Sequence, residues 1–423
     1  MRSRWFLAAA LAVVAILAAL GARATHASAL AGQLTVTGPW QGKNAAAFGQ
    51  VLAGFEKQNP GVTVTYKPAT GDVATALQQS AGAQQAQLAV LTLPTDLKAM
   101  TTMAHSGALR PIDFAASAVD KNYAFTWKRS GVVDGKLTGL VFDATNTSAF
   151  WYDTKALASL GLQAPNSLSG LKQMVGRIKA HGLTPYAVSG HDQVALPNLF
   201  ENLYLALQGN SRYDKLVSGQ LRWSDPSVTS TLRVFKQMFG TGLSGGTASL
   251  GSSYSTAVKK VFGSPMKAYL VPGGSDVLPV VTGSPVMRPL SQFSTFAFPR
   301  TSAKAPPRVI GSAHAVVMTK DTPEARALVD YLATPEAATT WVQQATNVLS
   351  PNRKVAADAY AETALRGLAQ SLTTANVFRY SAADVQGAKV KKVLSLQLTR
   401  YLQGKDTIGD VTSRLMIAAG EQY

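Results

Sequence analysis

The chain has 423 residues, no cysteine, and 40 Lys+Arg against 23 Asp+Glu, for a formal charge of +17. The lack of cysteine excludes disulfides, thiolate metal sites and the acylated N-terminal cysteine of a lipoprotein, so stability must come from a buried core. This length suffices for two or three globular units.

Residues 1–29 carry Arg2 and Arg4, an almost unbroken apolar run from Trp5 to Leu20, and Ala27-Ser28-Ala29. These are the charged region, apolar region and small-residue cleavage site of a secretory signal, which places the working domain outside the cytoplasm. The stretch from Trp5 to Ala22 is about long enough for an uncleaved membrane anchor, and that alternative stays open. The charge outside this segment is near +14. It favours anionic surfaces and ligands, yet only Lys128-Arg129, Lys259-Lys260 and Lys389/Lys391/Lys392 cluster locally. None is interleaved with aromatics, so the charge reads as dispersed solubility charge and nucleic acid is not an expected partner.

Leu34 to Thr37 alternates as a strand, an amphipathic helix runs from about Ala45 to Gln58, and Val62 to Tyr66 is a second strand after the breaker Asn59-Pro60-Gly61. This spacing is a βαβ unit, which implies a parallel sheet with ligands beyond its carboxyl ends. Asp72 is placed to cap a helix from Val73, Leu88 to Leu93 is an apolar strand ended by Pro94, and a helix covers about Leu97 to Ser106. Leu137 to Phe142 and Ser148 to Tyr152 are strand-like. Beyond Asp153 the pattern turns helical at Leu168 to Ala180, Asn198 to Leu207, Val228 to Phe239 and Thr256 to Phe262. The Gly/Ser/Thr-rich stretch from Gly240 to Ser255 reads as a mobile loop. Strands return at Lys267 to Val271, Ser294 to Phe298 and Val309 to Met318, followed by helices from Pro323 and Pro335 and a helical last seventy residues.

The motifs of hydrolytic and phosphate chemistry are missing. His105, His181, His191 and His314 never stand at a zinc spacing, no G-x-S-x-G occurs, and Gly131 to Leu137 lacks the spacing of a phosphate loop. Carboxylates are sparse, with no pair marked as acid and base. Asn146-Thr-Ser148 fits a glycosylation triplet.

The order of short motifs is more specific. Trp40-Gln-Gly-Lys43, Phe48, Val51 to Glu56 and Asn59-Pro-Gly61 come first, then Gly107 to Asp113, Phe150-Trp-Tyr-Asp153, Phe200-Glu-Asn202, Tyr213 to Leu216 and Trp223-Ser-Asp-Pro226. Phe296 to Pro299, Tyr331 to Ala337 and Ser350-Pro-Asn352 close the series. In this order they resemble the extracellular solute-binding proteins (family 1) of sugar-type ABC transporters, particularly the α-glucoside-binding branch, over nearly the whole chain beyond residue 29.

The resemblance implies an α/β, two-lobed periplasmic-binding-protein-like fold of type II, each lobe a mixed sheet flanked by helices, with hinge strands between. The lobes would be residues 30–142 with 309–350, and 143–308 with 351–423. It further implies a monomer that closes on a carbohydrate and delivers it to the transmembrane subunits of an ABC permease, with no cofactor or metal. Sugar sites join aromatic faces with carboxylates or amides. On that basis Trp40 is the expected platform and Asn146 a polar sugar contact after the first hinge. Phe150 and Tyr152 alternate with Trp151 on a strand, so one set faces the core and the other the cleft; Trp151 reads as a ligand contact, with a place in the core as its alternative. Asp72 reads as a cap with a place near the ligand, Pro94 as the end of a strand at the cleft, and Gly273-Gly274 as a close backbone approach.

Several positions depart from the α-glucoside branch. Lys43 replaces an acid of W-x-G-E, and Val194 to Leu199 replaces W-P-L-T-D-W with Asn198 in place of the aspartate. Ser312-Ala-His314 replaces G-G-D, and Phe378-Arg-Tyr-Ser381 replaces F-R-x-D. The losses imply a ligand other than a plain α-glucoside: smaller, less ring-like, or anionic with Lys43, His314 and Arg379 as cationic partners. An exported carbohydrate-active enzyme and a sensory protein without transport remain as alternatives.

Overall fold

The computed structural model describes residues 30–79 and 85–421. The segment read above as an export signal lies outside the described residues. In chain order the strands are β1 (Ala31–Gly38), β2 (Gly61–Pro68), β3 (Leu88–Leu93), β4 (Val132–Val133), β5 (Lys136–Leu137), β6 (Gly139–Ala144) and β7 (Ala149–Asp153). There follow β8 (Leu270–Pro272), β9 (Phe293–Ala297), β10 (Arg308–Gly311), β11 (Ala313–Met318) and β12 (Val377–Tyr380).

One lobe is built on a five-stranded sheet of order β2-β1-β3-β11-β6. β1 runs parallel to β2 and β3, as a βαβ start requires, whereas β11 runs antiparallel to both β3 and β6. Helix Gly42–Gln58 buries Ala47, Phe48, Val51, Leu52 and Phe55, the three-and-four spacing of one helical stripe. The stripe packs on one face of the sheet together with helix Pro335–Gln344. Successive β3 residues point to opposite faces. Leu88 and Val90 join this core, while Ala89, Leu91 and Leu93 meet Val73, Leu77, Met100 and Met103 on the other. A strand covered on both faces needs no polar alternation, which is why β3 reads as a continuous apolar run.

The second lobe centres on a three-stranded antiparallel sheet of order β8-β7-β9, with β10 and β12 as a separate parallel pair. Helix Ala195–Val217 extends beyond the expected Leu207 because Gly209, at φ 78°, introduces a break that lets a second helical piece follow. Glu201 on this helix is 1% exposed and accepts from the backbone N–H groups of Ala382 (3.1 Å) and Ala383 (3.0 Å), Ser381 Oγ (3.1 Å) and Tyr213 Oη (3.2 Å). It thereby ties the helix to the first turn of helix Ala382–Gln386. Several motifs of the family pattern have such structural roles. Asp153, Asp225, Thr322 and Thr334 each cap a helix N-terminus through a backbone N–H, and Trp223 is fully buried.

Two expectations change, and the glycosylation triplet proves to be a chance match. The single strand expected from Val309 to Met318 is two, because Ser312 separates β10, paired with β12, from β11 in the five-stranded sheet. The stretch Gly240 to Ser255 is packed rather than loose. It contains the 3-10 turn Thr247–Gly251 with Leu250 buried, the Leu250 carbonyl accepts from Gly190 N (2.8 Å), and the Ser244 carbonyl accepts from Lys260 Nζ (2.7 Å). The Asn146 triplet offers no glycan acceptor in the folded chain. Asn146 is fully buried, its amide donating to Leu368 O (3.3 Å) and accepting from Ser148 N (2.8 Å).

Three segments connect the sheets side by side. Ala144 N donates to Leu349 O (3.0 Å), Thr145 N to Ser312 O (2.8 Å) and Thr147 N to Ile310 O (2.9 Å), and Ile310 N donates to Ser148 Oγ (2.7 Å). At Gly311 a Cβ would lie 2.1 Å from Thr145 O, so glycine is what permits this approach.

The centre of the first lobe is an aromatic cluster. Trp40 stands 4.6 Å, centroid to centroid, from both Phe48 and Trp341, and Phe142 and Tyr66 complete it. Trp341→Ala is expected to cost about 3–5 kcal/mol, read as a lower urea midpoint. A loss under about 1 kcal/mol would mean that the cluster carries no such weight.

Candidate ligand cleft

The carboxyl ends of β1, β3 and β6 and the start of β11 meet at one edge of the five-stranded sheet, facing the connecting segments. The sheet register brings His314 of β11 opposite Asp143 of β6 and Thr92 of β3. His314 Nδ1 lies 2.5 Å from Asp143 Oδ1, with side chains 23% and 5% exposed. Beyond the end of β3, the turn through Pro94 places Asp96, 3% exposed, whose carboxylate accepts from Thr92 N (2.7 Å). Asp72 hydrogen-bonds to Asp96 and also accepts from Thr75 N (2.6 Å), the capping role expected of it. Three carboxyl groups and one imidazole thus line the edge.

Their charges are coupled. Burial raises the Asp96 pKa, and Asp72 beside it adds to the effect while the Thr92 N–H and His314 oppose it, leaving it at about 6. Burial works against charge on His314, but Asp143, with Asp96 beyond it, more than offsets this and its pKa is raised. Asp72 is lowered, chiefly by its hydrogen bond to Thr75.

Trp40 follows β1, and its backbone is clamped by Tyr66, whose hydroxyl accepts from Trp40 N (2.9 Å) and donates to Trp40 O (3.2 Å). Its ring meets His314 edge-on at 5.5 Å. Lys43, on the first turn of helix Gly42–Gln58, is exposed and lines a recess of about 600 Å³ between the lobes. Thr282, Asn347, Asp358 and Glu362 form its polar wall, and Asn347 Nδ2 spans the lobes to Thr282 Oγ1 (3.5 Å). On the facing lobe Asn198 is half-buried near the start of helix Ala195–Val217, and its side-chain amide makes no hydrogen bond among the described residues.

The structure therefore gathers Trp40, Asp72, Pro94 and His314 at one edge, with Lys43 in the adjoining recess. Five readings need correction. Trp40 is only 5% exposed and packs between Phe48 and Trp341, so it is a core residue bordering the cleft rather than an open platform. Trp151 is fully buried against Phe262, with Nε1 donating to Gly274 O (2.9 Å). Asn146 is consumed by the connecting segment as described above. Gly274 allows close approach by that segment, not by ligand, since a Cβ there would lie 1.5 Å from Asn146 O. Arg379 lies on β12, where its Nε and Nη2 engage both oxygens of Asp214 and its Nη1 donates to Phe378 O (2.8 Å).

The expected cationic trio is therefore not assembled: His314 and Arg379 each hold a carboxylate, which leaves Lys43. Asp96 and Asp143 were not among the expected site residues. Their position at the carboxyl ends of two strands is the signal that would have found them.

A fold of two mixed α/β lobes with a polar cleft at the strand ends defines a receptor of the periplasmic-binding-protein type. The chain belongs to the bacterial extracellular solute-binding proteins, whose family model matches residues 38–339. It is an extracytoplasmic solute receptor of the ABC-importer type, in a family of binding proteins rather than enzymes. Among the described residues no helix is long and apolar enough to cross a membrane.

The alpha-glucosides-binding periplasmic protein AglE of Rhizobium meliloti is 26% identical over 372 residues, covering 84% of this chain and 80% of that protein. The osmoprotective compounds-binding protein GgtB of Synechocystis is 23% identical over 391 residues, covering 88% and 89%. Among solved structures, the bacterial solute receptor AcbH, described as having an exclusive preference for β-D-galactopyranose, superposes with a TM-score of 0.78 at 16% identity, covering 92% of this chain and 97% of that one.

The raised pKa values of Asp96 and His314 mean that the folded chain binds protons more tightly than the unfolded one at both groups. Asp96 contributes stability below its ordinary value near 4 that is lost as pH rises through about 6. The His314 contribution is complete below about 6.5 and is lost as pH rises through its higher folded value. Asp143→Asn is expected to lower the His314 titration midpoint in NMR of histidine-labelled protein, with His314→Gln assigning the resonance. A midpoint that does not move would overturn the pairing.

Proposed function

We propose that the chain captures a neutral, hydroxyl-rich carbohydrate between its lobes and delivers it to the transmembrane subunits of an ABC permease. One observation carries this reading: the candidate cleft edge holds Asp72, Asp96 and Asp143 against the single imidazole of His314, which is already paired. Carboxylates accept two hydrogen bonds at once from vicinal hydroxyls, whereas an anionic ligand would meet repulsion here. The name of AglE, which concerns α-glucosides, and the galactopyranose preference of AcbH agree with a carbohydrate ligand.

In this reading Asp72, Asp96 and His314 contact the solute from one lobe, with Lys43 beside them and Asn198 opposite. The lobes divide between β6, which ends at Ala144, and β7, and again at Ser312 between β10 and β11, so the expected bounds at 142/143 and 308/309 shift to 144/145 and 311/312. A ligand touching both favours the closed arrangement over the open one, and closure bends the three connecting segments. The chain turns over no substrate.

Isothermal titration of maltose, raffinose and galactose, with galacturonate and glucose 6-phosphate as anionic counterparts, tests this. At least one neutral sugar should bind saturably and lose about tenfold or more in affinity with Asp96→Asn, because a hydrogen bond to a charged group is removed. Tighter binding of the anionic sugars, or release of hydrolysis products from an oligosaccharide, would overturn the reading.

A further inference from the structure

The lobe built on the three-stranded sheet holds a second cavity, remote from the cleft and independent of the proposal above. It measures about 410 Å³ and lies between helices Leu168–Ala180 and Pro226–Phe239, with Tyr186 contributing to its lining. That volume falls in the range of small-molecule sites, about 300–1,000 Å³.

Tyr186 is 1% exposed and its ring is held by Phe239 (5.5 Å) and Phe150 (6.4 Å), with its backbone tied to Gly242 and Leu270. Its hydroxyl lines the cavity without a hydrogen-bond partner among the described residues. Burial pushes its pKa upward, so it stays a neutral donor. An acceptor entering the cavity would receive its hydrogen bond.

The walls are apolar, from Val175, Val234 and Met238, while Lys172 and Lys179 stand at the mouth one heptad apart on the same face of their helix. Lys179 is steadied by Thr241 Oγ1 (2.8 Å), and Lys172 has no carboxylate partner among the described residues. No acidic side chain lines the cavity. Between the two lysines Gly176 leaves the wall open, since nothing lies within 4 Å of the position its Cβ would take.

We infer that this cavity is a second binding site, for an amphipathic carboxylate whose headgroup meets Lys172, Lys179 and the Tyr186 hydroxyl and whose apolar body lies between the two helices. The two lysines and the lack of acidic lining select the anion, and the apolar walls select its hydrocarbon.

Isothermal titration of dodecanoate into the full exported chain, below its micelle concentration and with dodecanol as the uncharged counterpart, tests the site. Dodecanoate should bind saturably with one-to-one stoichiometry and more tightly than dodecanol. Lys172→Ala with Lys179→Ala should weaken it about tenfold or more, and Tyr186→Phe should weaken it less. Gly176→Leu fills the opening at an exposed helical position where leucine is a better helix former than glycine, so this variant should fold, as circular dichroism would verify, and should abolish binding. Equal binding of dodecanol would overturn the carboxylate assignment. Absence of saturable binding, or binding untouched by Gly176→Leu, would overturn the site.

Discussion

Strand β11 runs antiparallel between β3 and β6, so a stretch from late in the chain completes a sheet begun by the first three strands. That insertion obliges the chain to leave the first lobe after β6, build the second, and return through Ser312. Because the returning strand enters where β3 and β6 end, His314 arrives at the same edge as Asp96 and Asp143. The cleft chemistry and the connections between the lobes both follow from this one placement.

The linking segments are stiff locally. Backbone bonds lace residues 144–148 to 310–312 and to Leu349, and at both Gly274 and Gly311 a side chain would collide with carbonyls of the connecting segment at 145–146. Away from these segments the lobes also meet at a buried contact, Trp127 against Phe378 at 4.2 Å with Phe378 N donating to Thr126 Oγ1 (3.0 Å), and at a polar one between Asn347 and Thr282.

Electrostatics refines what the substituted positions mean. A protonated His314 standing alone would put positive charge at the candidate cleft edge. Here Asp143 sits against Nδ1, and the local balance remains negative. Arg379 shows the same effect more strongly, since Asp214 on helix Ala195–Val217 occupies its fork. The basic character of the chain is thus a property of its surface as a whole, and its one notable concentration beside an apolar cavity lies on the second lobe at Lys172 and Lys179.

Much of the architecture was legible from sequence because it rests on local periodicity and on punctuation by caps and breakers. The β1, Gly42–Gln58 and β2 unit, the buried run of β3, and the helices opened by Thr322-Pro323 and Thr334-Pro335 depend on residues close in sequence. The break at Ser312, the continuation of a helix past Gly209, and the burial of Asn146 and Trp151 were not legible, because each depends on a partner more than a hundred residues away or on a backbone angle that glycine alone makes cheap. Sequence by itself thus determined the fold class and the family, and it named Trp40, Asp72, Pro94 and His314, which the fold gathers at one edge of the five-stranded sheet. Tertiary structure decided which charges stand unpaired: strand register brings Asp143 to His314, and the packing of helix Ala195–Val217 against β12 brings Asp214 to Arg379, so neither cation is left without a carboxylate to hold an anionic ligand.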